Sequence, residues 1–255
     1  MAIAVLVVAS TCAYLMMWTP VFEKAFLPWV AATTVNLQNY GVANQELGTI
    51  LAGMFGMPMS KYLNLTVAAV VVAAMLFFCF KSADFRYETD HVFGGAVVGL
   101  AIVFGWWLTG GSIGREWKEY ADMATVMPSR VQVQSYTFAS PMGDTVRYLL
   151  DPANFSLVNF GVAALAGVIL GSSLWALLDR QFRLEWFASW KDFANHAVGG
   201  ALMGFGGVLS MGCTFGQAIT GISTLAVGSI LTFLAIVIGA AGTMKYQYWR
   251  ITREA

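Results

Sequence analysis

The sequence predicts an all-α fold: an integral membrane helical bundle with an internal repeat and one broken or re-entrant helix. Three observations predict it. Hydrophobic residues make up 58% of the 255 positions and charged residues 11%, against roughly a quarter charged in a soluble domain. The apolar residues fall into runs near the length a membrane helix needs, about 20 residues. A glycine-rich motif with a histidine recurs 105 residues downstream (His91 and His196). Low hydrophobicity marks disordered chains, so disorder is excluded. Formal net charge is zero, so no nucleic-acid footprint is present. A single transmembrane domain over 1–255 is expected.

Taken in order, residues 2–18 form the first run, ending at Trp18-Thr-Pro20. No Lys or Arg precedes Lys24, so this run lacks the basic start of a secretory signal and reads as a retained span. Residues 63–80 follow, closed by Lys81, and then 92–109, with Trp106 and Trp107 at a membrane interface. Residues 156–178 end at Asp179-Arg180, and 222–242 precede Lys245. Residues 197–217 are apolar but hold seven glycines and a Ser-Met-Gly-Cys-Thr-Phe-Gly stretch, which reads as an interrupted helix over 211–216. Segments 20–62 and 111–155 are too mixed to span and too long for hairpin loops. Each is expected to hold a surface helix or a re-entrant element. With six crossings, the basic loop residues divide eight against six (Lys81, Arg86, Arg180, Arg183, Lys191, Lys245, Arg250 and Arg253 on one side). That bias puts both termini in the cytoplasm.

The repeat pairs Asp90-His-Val-Phe-Gly-Gly-Ala-Val-Val-Gly99 with Asn195-His-Ala-Val-Gly-Gly-Ala-Leu-Met-Gly204. Its copies cover about 64–111 and 156–216. Internal repeats are a common build of transporters, with the ligand site at the repeat interface. Gly95 and Gly99, Gly200 and Gly204, and Gly167 and Gly171 are GxxxG pairs, which let helices approach closely in lipid. The copies differ where Met211-Gly-Cys-Thr214 corresponds to Trp106-Trp-Leu-Thr109.

That difference is the candidate site: Ser210, Met211, Gly212, Cys213, Thr214 and Gly216. A helix broken by glycine exposes backbone N–H groups, and a following half-helix turns its positive end toward the break. No basic residue lies between positions 197 and 243, so helix ends and hydroxyls must hold an anion there. A thiol is a weak donor and a polarisable partner, better matched to a sulfur-bearing ligand than to a hard oxyanion. The bland reading is a buried, inert cysteine. Cys12 and Cys79 sit in plain apolar runs. His91 and His196 leave a bis-histidine haem site geometrically open, although imidazoles at helix ends are usually hydrated caps. Met54, Met57 and Met59 have soft-metal character but read as packing in a turn. No cofactor is expected. No catalytic set such as Ser-His-Asp or a phosphate loop is visible, so an enzyme is not expected.

The stretch 199–223, Gly-Gly-Ala-Leu-Met-Gly-Phe-Gly-Gly-Val-Leu-Ser-Met-Gly-Cys-Thr-Phe-Gly-Gln-Ala-Ile-Thr-Gly-Ile-Ser, closely resembles the signature of the YeeE/YedE family of sulfur-compound transporters. Residues 136–148, Tyr-Thr-Phe-Ala-Ser-Pro-Met-Gly-Asp-Thr-Val-Arg-Tyr, resemble a second family block, and 94–110 a third. The resemblance implies a multi-pass protein of the cell inner membrane that passes thiosulfate or a related small sulfur-containing anion along a series of cysteines. Cys213 matches the cysteine of the family's glycine-cysteine-threonine motif. A small cytoplasmic sulfur-carrier protein or a second membrane subunit is the implied partner. The family's earlier glycine-cysteine motif has no counterpart here, which leaves a shortened form, a fragment or one half of a two-subunit transporter open. The rival function is a structural or accessory subunit of a larger membrane complex.

Overall fold

The computed structural model describes residues 1–37, 42, 44–55, 61–124, 128–183 and 185–254. In chain order its helices are α1 (Ala2–Trp18), α2 (Val21–Ala25), α3 (Leu27–Thr33), α4 (Leu47–Phe55), α5 (Lys61–Lys81), α6 (Ala83–Tyr87), α7 (Thr89–Gly110), α8 (Ser112–Met123), α9 (Ala139–Leu150), α10 (Phe160–Leu178), α11 (Trp190–Leu209) and α12 (Val227–Glu254). A π-helical segment, Phe215–Gly221, lies between α11 and α12. Among the described residues the fold is helical, with one isolated bridge between Glu46 and Ala226.

Among the described residues four helices are long and apolar enough to cross a membrane: α5, α7, α10 and α12. The six crossings expected from the sequence therefore reduce to four by length and composition. The α1 helix has 17 residues, at the short end of the spanning range. The α11 helix spends its first turns on Lys191, Asp192 and His196 before its apolar part begins. In each of the four spans at most 17% of the apolar window is buried, as expected of side chains that face lipid rather than a water-excluding core. The segment 111–155, expected to hold a surface or re-entrant element, forms α8 and α9. Met57 and Met59, considered as soft-metal ligands, lie outside the described residues, as does the side chain of Met54.

The chain divides into two units. The first comprises Met1–Thr34 and Ala101–Gly216. Here α11 packs along α1 through its glycines: a Cβ on Gly200 would stand 3.1 Å from the Val5 carbonyl oxygen, and one on Gly204 would stand 2.8 Å from Cys12 Cβ. The α9 helix crosses the other flank of α1, where Gly143 lies against the Ala13–Tyr14 backbone, and the buried Pro141 meets Gly161 of α10. Small residues at these crossings bring backbones close enough for dispersion to hold helices together where lipid removes the hydrophobic drive.

One carboxylate ties this unit together. Asp144 of α9 is 2% exposed and accepts from Arg130 Nε at 2.6 Å, Asn159 Nδ2 at 3.1 Å and Trp18 Nε1 at 3.3 Å. Asn159 in turn caps α10, its Oδ1 accepting from the Val162 backbone N–H. Arg147 stacks on the Trp18 ring, 3.6 Å from its centroid. A buried charge is tolerated only when paired and hydrogen-bonded, and these donors supply that.

The second unit comprises Val35–Leu100 and Gln217–Ala255. Its α4 packs on α5 where Gly48 meets Asn64, and Asn64 Nδ2 donates to Glu46 Oε2 at 2.9 Å. The Glu46–Leu47 backbone joins the Leu225–Val227 turn that starts α12, with Leu47 N–H donating to Leu225 O and Val227 N–H to Gln45 O.

The GxxxG pairs behave differently from one another. Gly200 and Gly204 make the expected close approach. Gly94, Gly95, Gly99, Gly167 and Gly171 have nothing within 4 Å of where a Cβ would stand among the described residues. The motif marks a surface that can pack closely; a neighbouring helix is still needed, and only the second copy has one.

These contacts set an expectation. Gly204→Val should lower the detergent-solubilised thermal midpoint by an amount equivalent to about 1–3 kcal/mol of overpacking, while Gly99→Ala should leave it unchanged or raise it. Equal effects in a thermal-shift measurement would contradict the packing described here.

Candidate functional site

The site grows from the way α11 stops. Leu209 is its last helical residue, and Ser210 Oγ stands 2.8 Å from the Gly206 carbonyl oxygen and 2.5 Å from the Gly212 carbonyl oxygen, its one proton shared between these two acceptors. Met211 N–H donates to Val208 O at 3.0 Å and Gly212 N–H to Gly207 O at 2.9 Å. This pair of bonds is the Schellman motif, which requires a left-handed residue at its first position outside the helix. Met211 occupies it, at φ 56°. A non-glycine residue there carries roughly 1–2 kcal/mol of steric strain. Its side chain is thrown outward, 89% exposed, while Gly212 is buried behind it.

Cys213 follows in irregular backbone, half-buried, and Thr214 begins the next helical stretch, exposed. The continuation is a π-helical segment of seven residues. The sequence led to the expectation of a regular half-helix with a strong positive end. The π turn is shorter and wider, so local N–H groups and the side chains carry more of the argument than a macrodipole. Single π turns are frequent at functional sites. Ser210 takes a different part from the one expected, because its single proton is committed to closing α11.

The first repeat copy passes the corresponding point without a break. Trp106, Trp107, Leu108 and Thr109 all lie within α7. Thr109, the counterpart of Thr214, accepts from the Gln134 backbone N–H at 3.0 Å. Trp106 and Trp107 keep α7 helical where their counterparts, Met211 and Gly212, end α11.

A residue that sequence reasoning missed adjoins the break. The Thr137 hydroxyl oxygen is buried and finds no hydrogen-bond partner among the described residues. It faces Gly216 so closely that a Cβ there would stand 2.5 Å from it. The same strand of chain lays Phe138 edge-on to Phe215, ring centroids 5.3 Å apart, and Ala139 Cβ against Gly207. The 136–148 block and the 199–223 block, read separately in the sequence, are neighbours here. Buried hydroxyls without a partner are uncommon and costly. Only the family block around Thr137 could have drawn attention to it.

The other candidates fall elsewhere. Cys12 lies on α1 against Gly204, and Cys79 is exposed on α5. His196 pairs with Asp192 one turn back, Nδ1 to Oδ1 3.0 Å, and meets Phe187 edge-on. His91 stacks flat on Phe85, centroids 6.3 Å apart. Among the described residues no three His, Cys, Asp or Glu side chains gather as a metal site.

Comparison with known proteins gives three findings. The sequence model of the family described as "Sulphur transport" fits residues 1–242. The chain is similar to the thiosulfate transporter TsuA of Spirochaeta thermophila, 31% identical over 84 residues, which is 33% of this chain and 26% of that protein. It is also similar to the thiosulfate transporter TsuA of Escherichia coli, 25% identical over 116 residues, 46% of this chain and 32% of that protein. The matched stretches thus span about a quarter and a third of those relatives. No solved structure matches at a significant level.

The crowding at Gly216 is directly testable. Gly216→Ala should cost about 1–3 kcal/mol through overpacking, and adding Thr137→Ala should restore most of it. Gly206→Ala, with open space at its Cβ position, should be neutral or stabilising. A double-mutant cycle on thermal stability reads the coupling; additive effects would place the two residues apart.

Proposed function

We propose a function from one premise: the chain belongs to the sulphur transport family, whose sequence model fits residues 1–242. It carries or holds a small sulfur-containing anion, thiosulfate first, as a multi-pass protein of the cell inner membrane. Cys213, in the interruption between α11 and the π segment, touches the ion. The ion is moved, and no bond in it is made or broken.

What carries this reading is the interrupted helix itself. An α-helix satisfies its own backbone, so a ligand at membrane depth meets only side chains. At Cys213 the backbone is irregular, and the half-buried thiol sits in that gap. The Thr214 hydroxyl is exposed beside it, and the Thr137 hydroxyl adds an unsatisfied donor at Gly216. Gly212 and Gly216 keep the walls free of bulk, and Met211 stands outside. No Lys or Arg occurs from 197 to 243, so the anion is held by weak, neutral donors and a polarisable sulfur. The two thiosulfate-transporter relatives support thiosulfate as the first ligand to try.

A second reading is an accessory subunit of a larger membrane complex, with a second membrane subunit or a small cytoplasmic sulfur-carrier protein as partner. The uncovered glycines of α7, Gly94, Gly95 and Gly99, favour it. Copurification of a stoichiometric membrane partner, with Cys213 inert to thiol reagents, would decide for that reading.

The transport reading is tested by thiosulfate uptake in cells whose own sulfur importers are removed. Cys213→Ala should cut uptake about tenfold or more, the equivalent of ~1.4 kcal/mol, at normal expression. Cys12→Ala and Cys79→Ala should do little. Thr137→Val should reduce uptake without lowering thermal stability, since it removes a buried hydroxyl that nothing among the described residues satisfies. Wild-type uptake by the Cys213→Ala protein ends the assignment of that residue.

A further inference from the structure

The first unit contains a cavity of about 400 Å3 that lies apart from Cys213. Its walls are the last turn of α7, the first two turns of α8, the 130–134 segment and the start of α10. Arg115, Lys118 and Arg130 line it, and no carboxylate does among the described residues. The carboxylates nearby are turned to other uses or other faces: Asp144 is buried behind Arg130, while Glu116 and Glu119 alternate with the lining residues along α8 and do not reach the cavity.

The three cations are not equivalent. Arg130 is fixed, its Nε donating to Asp144, with 32% of its side chain exposed, so the outer guanidinium N–H groups remain for a ligand. Arg115 and Lys118 are one turn apart on α8 and share a face. The α8 helix begins at Gly111, which has no side chain with which to cap it, so first-turn N–H groups add to the positive character of the mouth.

Most of the remaining lining is apolar, with Thr109, Gln132, Gln134 and Asn159 as its neutral polar members. Ile113 and Val133 leave 54% and 60% of their surface uncovered, and Leu108, Val158 and Phe160 complete the wall. A small free anion has no use for such a wall and fills a fraction of the space. The cavity also lies where two membrane-length helices end and begin, at Gly110 and Phe160. Basic pockets between spans at that level take anionic lipid head groups.

The geometry points to a bound anionic phospholipid: its phosphate on Arg115, Lys118 and Arg130, and the upper part of an acyl chain along Ile113, Val133 and Phe160. This assignment is independent of the transport reading and survives its failure. The site anchors α8 and the 130–134 segment to the ends of α7 and α10 through a lipid that belongs to the membrane.

Native mass spectrometry of the full chain tests it. Protein purified in mild detergent is offered an equimolar mixture of phosphatidylglycerol and phosphatidylcholine, and the retained lipids are counted. The wild type should retain phosphatidylglycerol in clear excess. R115Q/K118Q should lower that preference about tenfold, equivalent to ~1.4 kcal/mol. R180Q/R183Q, which removes as much charge outside the cavity, should leave it intact. R115K guards against misfolding and should keep the preference. Equal retention of the two lipids by the wild type, or an unchanged ratio in R115Q/K118Q with its R115K counterpart folded, would overturn the proposal. Displacement of the lipid by excess thiosulfate would overturn it in favour of a small-anion site.

Discussion

The buried carboxylate of Asp144 is the constraint from which most of the first unit follows. It sits in the middle of α9 and receives hydrogen bonds from the end of α1 (Trp18), the 128–135 segment (Arg130) and the cap of α10 (Asn159). A single ionised group of this kind cannot be left half-satisfied, because the penalty for an uncompensated buried charge is several kcal/mol. Its three donors are therefore held in place as firmly as it is. Fixing α9 also fixes the turn before it, and that turn carries Thr137 and Phe138 to the start of the π segment. Fixing Arg130 sets one corner of the basic cavity. Both regions proposed as ligand sites thus hang on one side chain that is part of neither.

The way α11 ends is the second determinant, and it is local. The Met211 and Gly212 backbone N–H groups supply the hydrogen bonds that close a Schellman turn, and Met211 accepts a backbone conformation that costs it energy. Strain of this kind persists where surrounding structure over-determines it and is characteristic of functional segments. The first copy shows the alternative outcome. With Trp106 and Trp107 in the places of Met211 and Gly212 the helix runs on to Gly110. The recurring motif therefore lies in a continuous helix in one copy and runs into an interruption in the other, with different residues at the matched positions.

Much of the helical framework was legible because membrane spans are long and uniform. Residues 2–18 coincide with α1, and 63–80 and 92–109 fall within a few residues of α5 and α7. The run starting at 156 was read too early, since Phe155–Leu157 form a separate turn and Asn159 is spent on capping α10. Glycine motifs told which helices can pack closely but not which do: Gly204 meets α1 while Gly99 meets nothing among the described residues. The Asp144 cluster was not legible at all. Its partners lie 126, 14 and 15 positions away, and sequence spacing gives no sign of which polar residues will meet. Thr137 was hidden for the same reason, since an unsatisfied hydroxyl is a property of its surroundings.

The placement of positive charge fits the proposed chemistry at Cys213. Every basic side chain near the first unit's centre is neutralised, stacked or kept at a helix end: Arg130 on Asp144, Arg147 over Trp18, Arg115 and Lys118 at the cavity mouth. None falls between positions 197 and 243. A fixed guanidinium beside a conducted anion in a low-dielectric setting binds it strongly, and an ion that is held strongly leaves slowly. Neutral donors and a thiol give up some affinity and permit release, provided that the ion first loses its water to groups already oriented for it. The interrupted helix supplies such groups without supplying charge. On this view the cations of the chain belong to its attachment to the membrane, and the passage of the anion is left to sulfur, hydroxyl and backbone.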